Sequence, residues 1–216
     1  MVKRLNASKI YTFEDRFVFA GAGPVAHIEQ EVNGIMLAMK TQEGNQRSPL
    51  NVSECEEVMW RALLGLHGKF NVERSRTLGV EDLEFFSPLL VAAGRGIEHD
   101  GKKRLFTFIL HTAGVVERVD GYGTVGSGAA YAELLLKNTH SDRLTTAEGA
   151  ALAAFVIGEV KAIDPNCGGP TQVATLTEDR LRRLPPTEVE ALESKASKLV
   201  GASWDSFKKK LGRELG

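Results

Sequence analysis

Gly121-Tyr122-Gly123-Thr124-Val125-Gly126-Ser127-Gly128, running into the helix-like stretch Ala129 to Leu136, is the segment whose reading decides the fold. Gly121, Gly123 and Gly126 spell G-x-G-x-x-G, the fingerprint of a dinucleotide-binding turn. That turn follows a parallel strand buried on both faces, which reads as a near-continuous apolar run. Here the preceding residues are Val115-Val116-Glu117-Arg118-Val119-Asp120, with three charges in six positions. A central parallel strand would have to bury those charges at high cost. An antiparallel strand with one wet face accepts them.

Working outward, Arg104 to His111 alternates like a strand, and Thr112-Ala113-Gly114 can turn the chain back. The pair reads as a hairpin rather than a strand-helix-strand crossover. An oxidoreductase on a parallel sheet is therefore the weaker reading, and no cofactor is expected.

Upstream, Ser8 to Phe13 and Arg16 to Ala20 read as short strands separated by Glu14-Asp15. Pro24 opens a helix over Val25 to Thr41, with Val25, Ile28, Val32, Ile35 and Met36 at helical spacing. Ser53, with Glu56 three residues on, suggests a capping box for a second helix. Val58, Leu63, Leu64 and Leu66 supply its apolar face. A strand follows over Phe85-Phe86 and Leu89 to Gly94. Downstream, helices are expected over Ala129 to Lys137 and Thr146 to Ile163, the second capped by Thr146 or Thr145. A last strand is expected over Thr171 to Leu176.

Blocks of strands alternate with blocks of helices, which argues α+β with antiparallel sheets covered by helix pairs. Pro185-Pro186 marks a boundary, dividing 1–184 from a helical extension over 185–216. Thr187 and Glu190 form another capping-box signature, and Val189, Leu192, Ala196, Leu199 and Val200 make an apolar face beyond it. That face packs either on its own domain or on a neighbouring subunit.

Composition narrows the function classes. The 216 residues are 43% hydrophobic and 25% charged, with a formal net charge of -1. Such a chain has no global basic field for nucleic acid or anionic lipid, so neither is an expected partner. Two cysteines, Cys55 and Cys167, make no disulfide framework and favour a reducing, cytoplasmic setting. No signal-peptide pattern or long apolar run is evident. The five histidines are scattered without zinc-ligand spacing, so no metal is expected.

The order of these elements resembles the proteasome β-subunit family, the threonine-type N-terminal-nucleophile (Ntn) hydrolases. Ser8-Lys9-Ile10-Tyr11 and then Phe19-Ala20-Gly21-Ala22-Gly23 are similar to the family's lysine-bearing strand and the Ala-Gly turn into its first helix. Gly126-Ser127-Gly128 resembles its Gly-Ser-Gly turn. Leu144 to Ala150, Ile163-Asp164, and Gly168-Gly169 with the strand to Thr177 resemble its last helix, aspartate, double glycine and closing strand. The match runs from about Ala7 to Arg180.

The resemblance implies an αββα sandwich and peptide-bond hydrolysis by acyl transfer. The family's nucleophile is the hydroxyl of an N-terminal threonine whose own α-amino group accepts the proton. The supporting lysine corresponds to Lys9, and the serine and aspartate to Ser127 and Asp164. A second serine normally precedes the double glycine; Cys167 stands in its place, and a thiol is the weaker hydrogen-bond donor. Gly126 and Gly128 flank the turn near which oxyanion-binding backbone amides are expected.

The chain departs from that pattern at its start. Reading from Met1, two strands and the nucleophile of the family are missing, and no Thr, Ser or Cys opens the sequence. The expectation is a proteasome-like subunit inactive as it stands, with its start upstream of Met1. The alternative is a non-catalytic assembly or scaffold subunit. Either way the expected partners are like subunits in a homo- or hetero-oligomer, with peptide or protein as substrate if active.

Overall fold

The structure, a computed structural model, describes residues 8–46, 49–79, 89–98, 100–111, 114–196 and 198. Its first two strands, β1 (Ile10–Phe13) and β2 (Phe17–Ala22), are joined by Glu14, Asp15 and Arg16, so the second begins one residue later than expected. Glu14 and Asp15 have positive φ, 48° and 51°, the left-handed pair of a type I′ turn, which the Arg16 amide closes on the Phe13 carbonyl. The Arg95 guanidinium donates to the Asp15 carbonyl and also to the Glu178 carbonyl, tying this turn to a distant one.

Two helices follow, α1 (Val25–Gln46) and α2 (Val52–His67). The first runs past the expected Thr41 because nothing stops it there: Gly44 is carried within the helix. The second is capped by Asn51, not Ser53. Asn51 accepts from the Glu54 amide while Glu54 accepts from the Asn51 amide, a complete capping box. A π-helical turn (Gly68–Val72) leads into α3 (Glu73–Leu78).

Then come β3 (Leu89–Ile97), β4 (Lys103–His111) and β5 (Val115–Arg118). The expected strand residues Phe85 and Phe86 lie outside the described residues, as do Thr112 and Ala113. Two further helices, α4 (Ala129–Thr139) and α5 (Thr146–Ile163), precede a short hairpin, β6 (Ala174–Leu176) and β7 (Leu181–Arg183). Thr145 is the α5 cap, sharing a capping box with Glu148. A last helix, α6, spans 186–196. Its first turn closes on the Pro185 carbonyl, so Pro186 takes the first helical position and Thr187 lies inside the helix rather than at its cap.

β1 to β5 form one sheet in sequence order, with every neighbouring pair antiparallel. The strand before the glycine-rich segment is thus an edge strand of a meander. That geometry removes the dinucleotide reading, which needs a parallel strand there.

One face of this sheet carries the main core. Phe17, Phe19, Leu90, Ala92, Phe106, Phe108 and Leu110 meet Ile28, Val32, Ile35 and Met39 of α1 and Val52, Cys55, Met59 and Leu63 of α2. Register explains the composition: Phe17 sits opposite Gly94, which sits opposite Phe106. A Cβ on Gly94 would lie 2.3 Å from the Phe106 ring and 2.7 Å from the Phe17 ring. The two aromatic rings, 5.9 Å apart, fill the space a side chain there would need.

β6 and β7 make a separate two-stranded sheet, and β6 lies against β2 and β3. α5 packs beside β6. Val189 of α6 is buried with Ala150, Ala154 and Val173, and Leu192 packs against the same group. The beginning of the C-terminal apolar face therefore docks on its own chain; Leu199 and Val200 lie outside the described residues.

Candidate functional site

Two segments far apart in sequence bring the candidate side chains together. The first is the Gly126-Ser127-Gly128 turn. Gly126 has φ of 101°, a conformation glycine adopts freely. A Cβ on it would lie 2.8 Å from that of Ala22, so the turn tucks against the end of β2. Gly128 is the N-cap of α4. A Cβ on Gly128 would lie 2.3 Å from Val160, 2.9 Å from Cys167 Sγ and 3.6 Å from Asp164 Oδ2. Its lack of a side chain lets the start of α4 lean directly on the end of α5.

The second segment is that end of α5. Asp164 caps the helix in an extended conformation (φ -97°, ψ 111°), the backbone preferred before a proline. Its Oδ1 accepts from the Asn166 amide at 2.8 Å, and its carbonyl accepts from the Cys167 amide at 3.0 Å. This turn folds Cys167 back so that its thiol donates to Asp164 Oδ2 at 3.4 Å. Ser127 Oγ lies 3.7 Å from Cys167 Sγ.

Asp164 is buried, at 6% exposure. The Ser127 hydroxyl, then the Asn166 amide and the Cys167 thiol, hold its carboxyl below the ordinary value, against the opposing effect of burial. It is thus an anion held by the Asn166 amide and the Cys167 thiol, beside an exposed serine hydroxyl. Such a carboxylate can orient a hydroxyl, an amine or a water in a cleft; it is not poised to take up a proton near neutrality.

Lys9 is placed differently. It precedes β1, with its carbonyl accepting from the Gly21 amide at 3.0 Å and its amide donating to Gln172 Oε1 at 3.2 Å. Gly21 adjoins Ala22, against which the Gly126 turn rests, so Lys9 stands at the same end of the sheet. Its side chain is exposed and forms no ion pair with Asp164. The structure brings Ser127, Asp164 and Cys167 into contact and Lys9 to their end of the sheet.

Four polar residues around this site escaped the sequence reading. Lys161 donates to the Thr171 hydroxyl, which donates to Glu193. Burial lowers the Lys161 pKa, while Glu193 and then Cys167 act to raise it. Gln172, next in the chain, accepts from Lys9 and from Arg183. Nothing in their spacing marks them, because their partners are 10 to 163 residues away.

No family model matches the chain. It is similar to a proteasome subunit beta 1 from Thermococcus sibiricus, 26% identical over 195 residues that cover 90% of this chain and 84% of that protein. It is likewise similar to a proteasome subunit beta 1 from Thermococcus onnurineus, 26% identical over 198 residues covering 89% and 84%. The antiparallel sheets and their helices are consistent with an Ntn-type proteasome fold. Among the described residues no helix is long and apolar enough to cross a membrane. Together the two relatives support a proteasome β-like family for this chain.

Proposed function

We propose that this protein is a subunit of a proteasome-type assembly, with the αββα arrangement of the threonine-type Ntn peptide hydrolases. The observation that carries the proposal is the convergence of Ser127, Asp164 and Cys167, contributed by a turn and by a helix end with the loop after it, Ser127 and Cys167 being 40 residues apart. In this reading Asp164 and Ser127 orient an α-amino group and a water, Cys167 bridges them, and Lys9 contributes positive charge from the neighbouring strand end. Backbone amides of the Gly126–Gly128 turn face the developing oxyanion. In this reading these residues are supporting groups for the hydrolysis of a peptide bond.

Like subunits are the proposed partners, in keeping with the description of both relatives as subunits. Sedimentation equilibrium and a fluorogenic-peptide assay on the 216-residue chain test both parts. The proposal expects a solution mass that is a multiple of the chain's own, and any peptide cleavage to be lost in the Ser127→Ala and Cys167→Ala variants. A monomer at all concentrations, or cleavage that persists in the Ser127→Ala and Cys167→Ala variants, would contradict it.

A further inference from the structure

The candidate site is assembled from elements that do not adjoin in sequence: the end of α5, the strand end carrying Lys9, and the turn before α4. Something must fix their relative positions. Between Cys167 and β6 runs a connecting segment containing Gly168, Gly169 and Pro170, and Gly169 has a φ of 82°. Pro170 fixes its own φ, but the two glycines before it leave the segment free to take many shapes. Its two following residues, Thr171 and Gln172, are both half-buried and both make long-range hydrogen bonds.

Thr171 faces the helices. Its hydroxyl accepts from the Lys161 ammonium and donates to Glu193, so one oxygen joins α5 to α6 with a charged group on each side. Hydrogen bonds to charged groups are stronger than those between neutral ones. Gln172 faces the sheet. Its Oε1 accepts from the Lys9 amide at 3.2 Å and from Arg183 at 3.2 Å, and lies 3.4 Å from the Ser8 hydroxyl. Arg183 also reaches the Ser8 hydroxyl at 2.9 Å, which closes the cluster onto β7. Adjacent residues thus point to opposite partners, the arrangement that an extended segment produces.

We infer that Thr171 and Gln172 form a two-armed positioning clamp. The Thr171 arm anchors the Asp164–Cys167 loop to α5 and α6, and the Gln172 arm sets the Lys9 strand end against it. The clamp makes α6 part of the site's support. This inference rests on the proposed function only for the meaning of the site; the geometry it asserts is testable without any peptidase activity.

The test uses the full chain and its two cysteines. Cys167 is half-buried at the loop, whereas Cys55 is fully buried in the main core, and burial pushes its thiol up to about 12. Cys55 is therefore an internal reporter of global opening. In Thr171→Val the hydroxyl is lost with little change of shape. Iodoacetamide labelling of Cys167 is expected to accelerate about tenfold, the scale of one charge-assisted hydrogen bond, while Cys55 stays protected. Thr171→Ser, which keeps the hydroxyl, is expected to stay within about twofold of the parent.

For the second arm, Gln172→Leu is expected to speed hydrogen exchange at the Lys9 amide by a similar factor, and Gln172→Glu, which keeps an acceptor oxygen, to restore it. Unchanged Cys167 labelling in Thr171→Val, Cys55 labelling that rises in step with it, or unchanged Lys9 exchange in Gln172→Leu would overturn the inference. If the labelling and exchange results hold while the chain proves monomeric, the proposed function fails and the clamp stands.

Discussion

Glu31 shows how one residue can carry a cost that a periodicity reading passes over. It lies three residues after Ile28 and four before Ile35, on the same stripe of α1. Spacing alone puts it inside, and the structure buries it at 1% exposure with Oε1 unpaired. Burial pushes its pKa from 4.5 up to about 8. The folded chain then keeps a proton that the unfolded chain releases above 4.5. Stability from this residue is full below pH 4.5 and is lost as the pH rises toward 8, by at most about 1.4 kcal/mol per pH unit. Urea denaturation of Glu31→Gln at pH 5 and pH 8 is expected to show a smaller loss between the two than the parent. An identical loss in both proteins would place the titration elsewhere. Ser127, Asp164 and Cys167 were legible in a different way, through the resemblance of their short motifs. Their mutual contacts were not, because the closeness of α4 and α5 depends on the missing side chain of Gly128, which no local pattern announces.

At the level of elements, most strands and helices followed from alternation and spacing, though the π-helical turn, α3 and β7 did not, and helix ends followed from caps that compete. In α2, Ser53-Glu56 and Asn51-Glu54 are both capping-box signatures two residues apart. Asn51 prevails, and the longer helix it opens adds Val52 to the buried face of Cys55, Met59 and Leu63. The stripe expected from the sequence would have used Leu64, which is 46% exposed, next to Trp60 at 43%. Asn51→Ala is expected to cost about 1 kcal/mol of global stability, the usual value of a lost cap. Ser53→Ala, at an exposed position, is expected to cost less than about 0.5 kcal/mol. Chemical denaturation of the two variants checks the pair, and equal losses would contradict the assignment of the cap. The β6–β7 hairpin was half seen. Its first strand was expected from Thr171, but Thr171 and Gln172 bond instead to α5, α6 and the residues before β1, and pairing between the named strands begins at Ala174.

Across the whole molecule, the charges of Glu117, Arg118 and Asp120 argue for an antiparallel strand with one wet face, and β5 is antiparallel to β4. The antiparallel meander that results places the glycine-rich turn at the end of β2 rather than beneath a dinucleotide. What the sequence could not supply was the relation of that turn to the end of α5, which is a matter of packing between distant elements. The proposed function depends on that relation. It is tested most directly by Ser127→Cys, which sets a thiol where Ser127 Oγ stands 3.7 Å from Cys167 Sγ. Under mild oxidation, mass spectrometry of the digested variant should find a 127–167 disulfide in most molecules, with Cys55 reduced. Ser127→Cys that stays a free thiol while Cys167 remains available to alkylation would contradict the convergence on which the site is built.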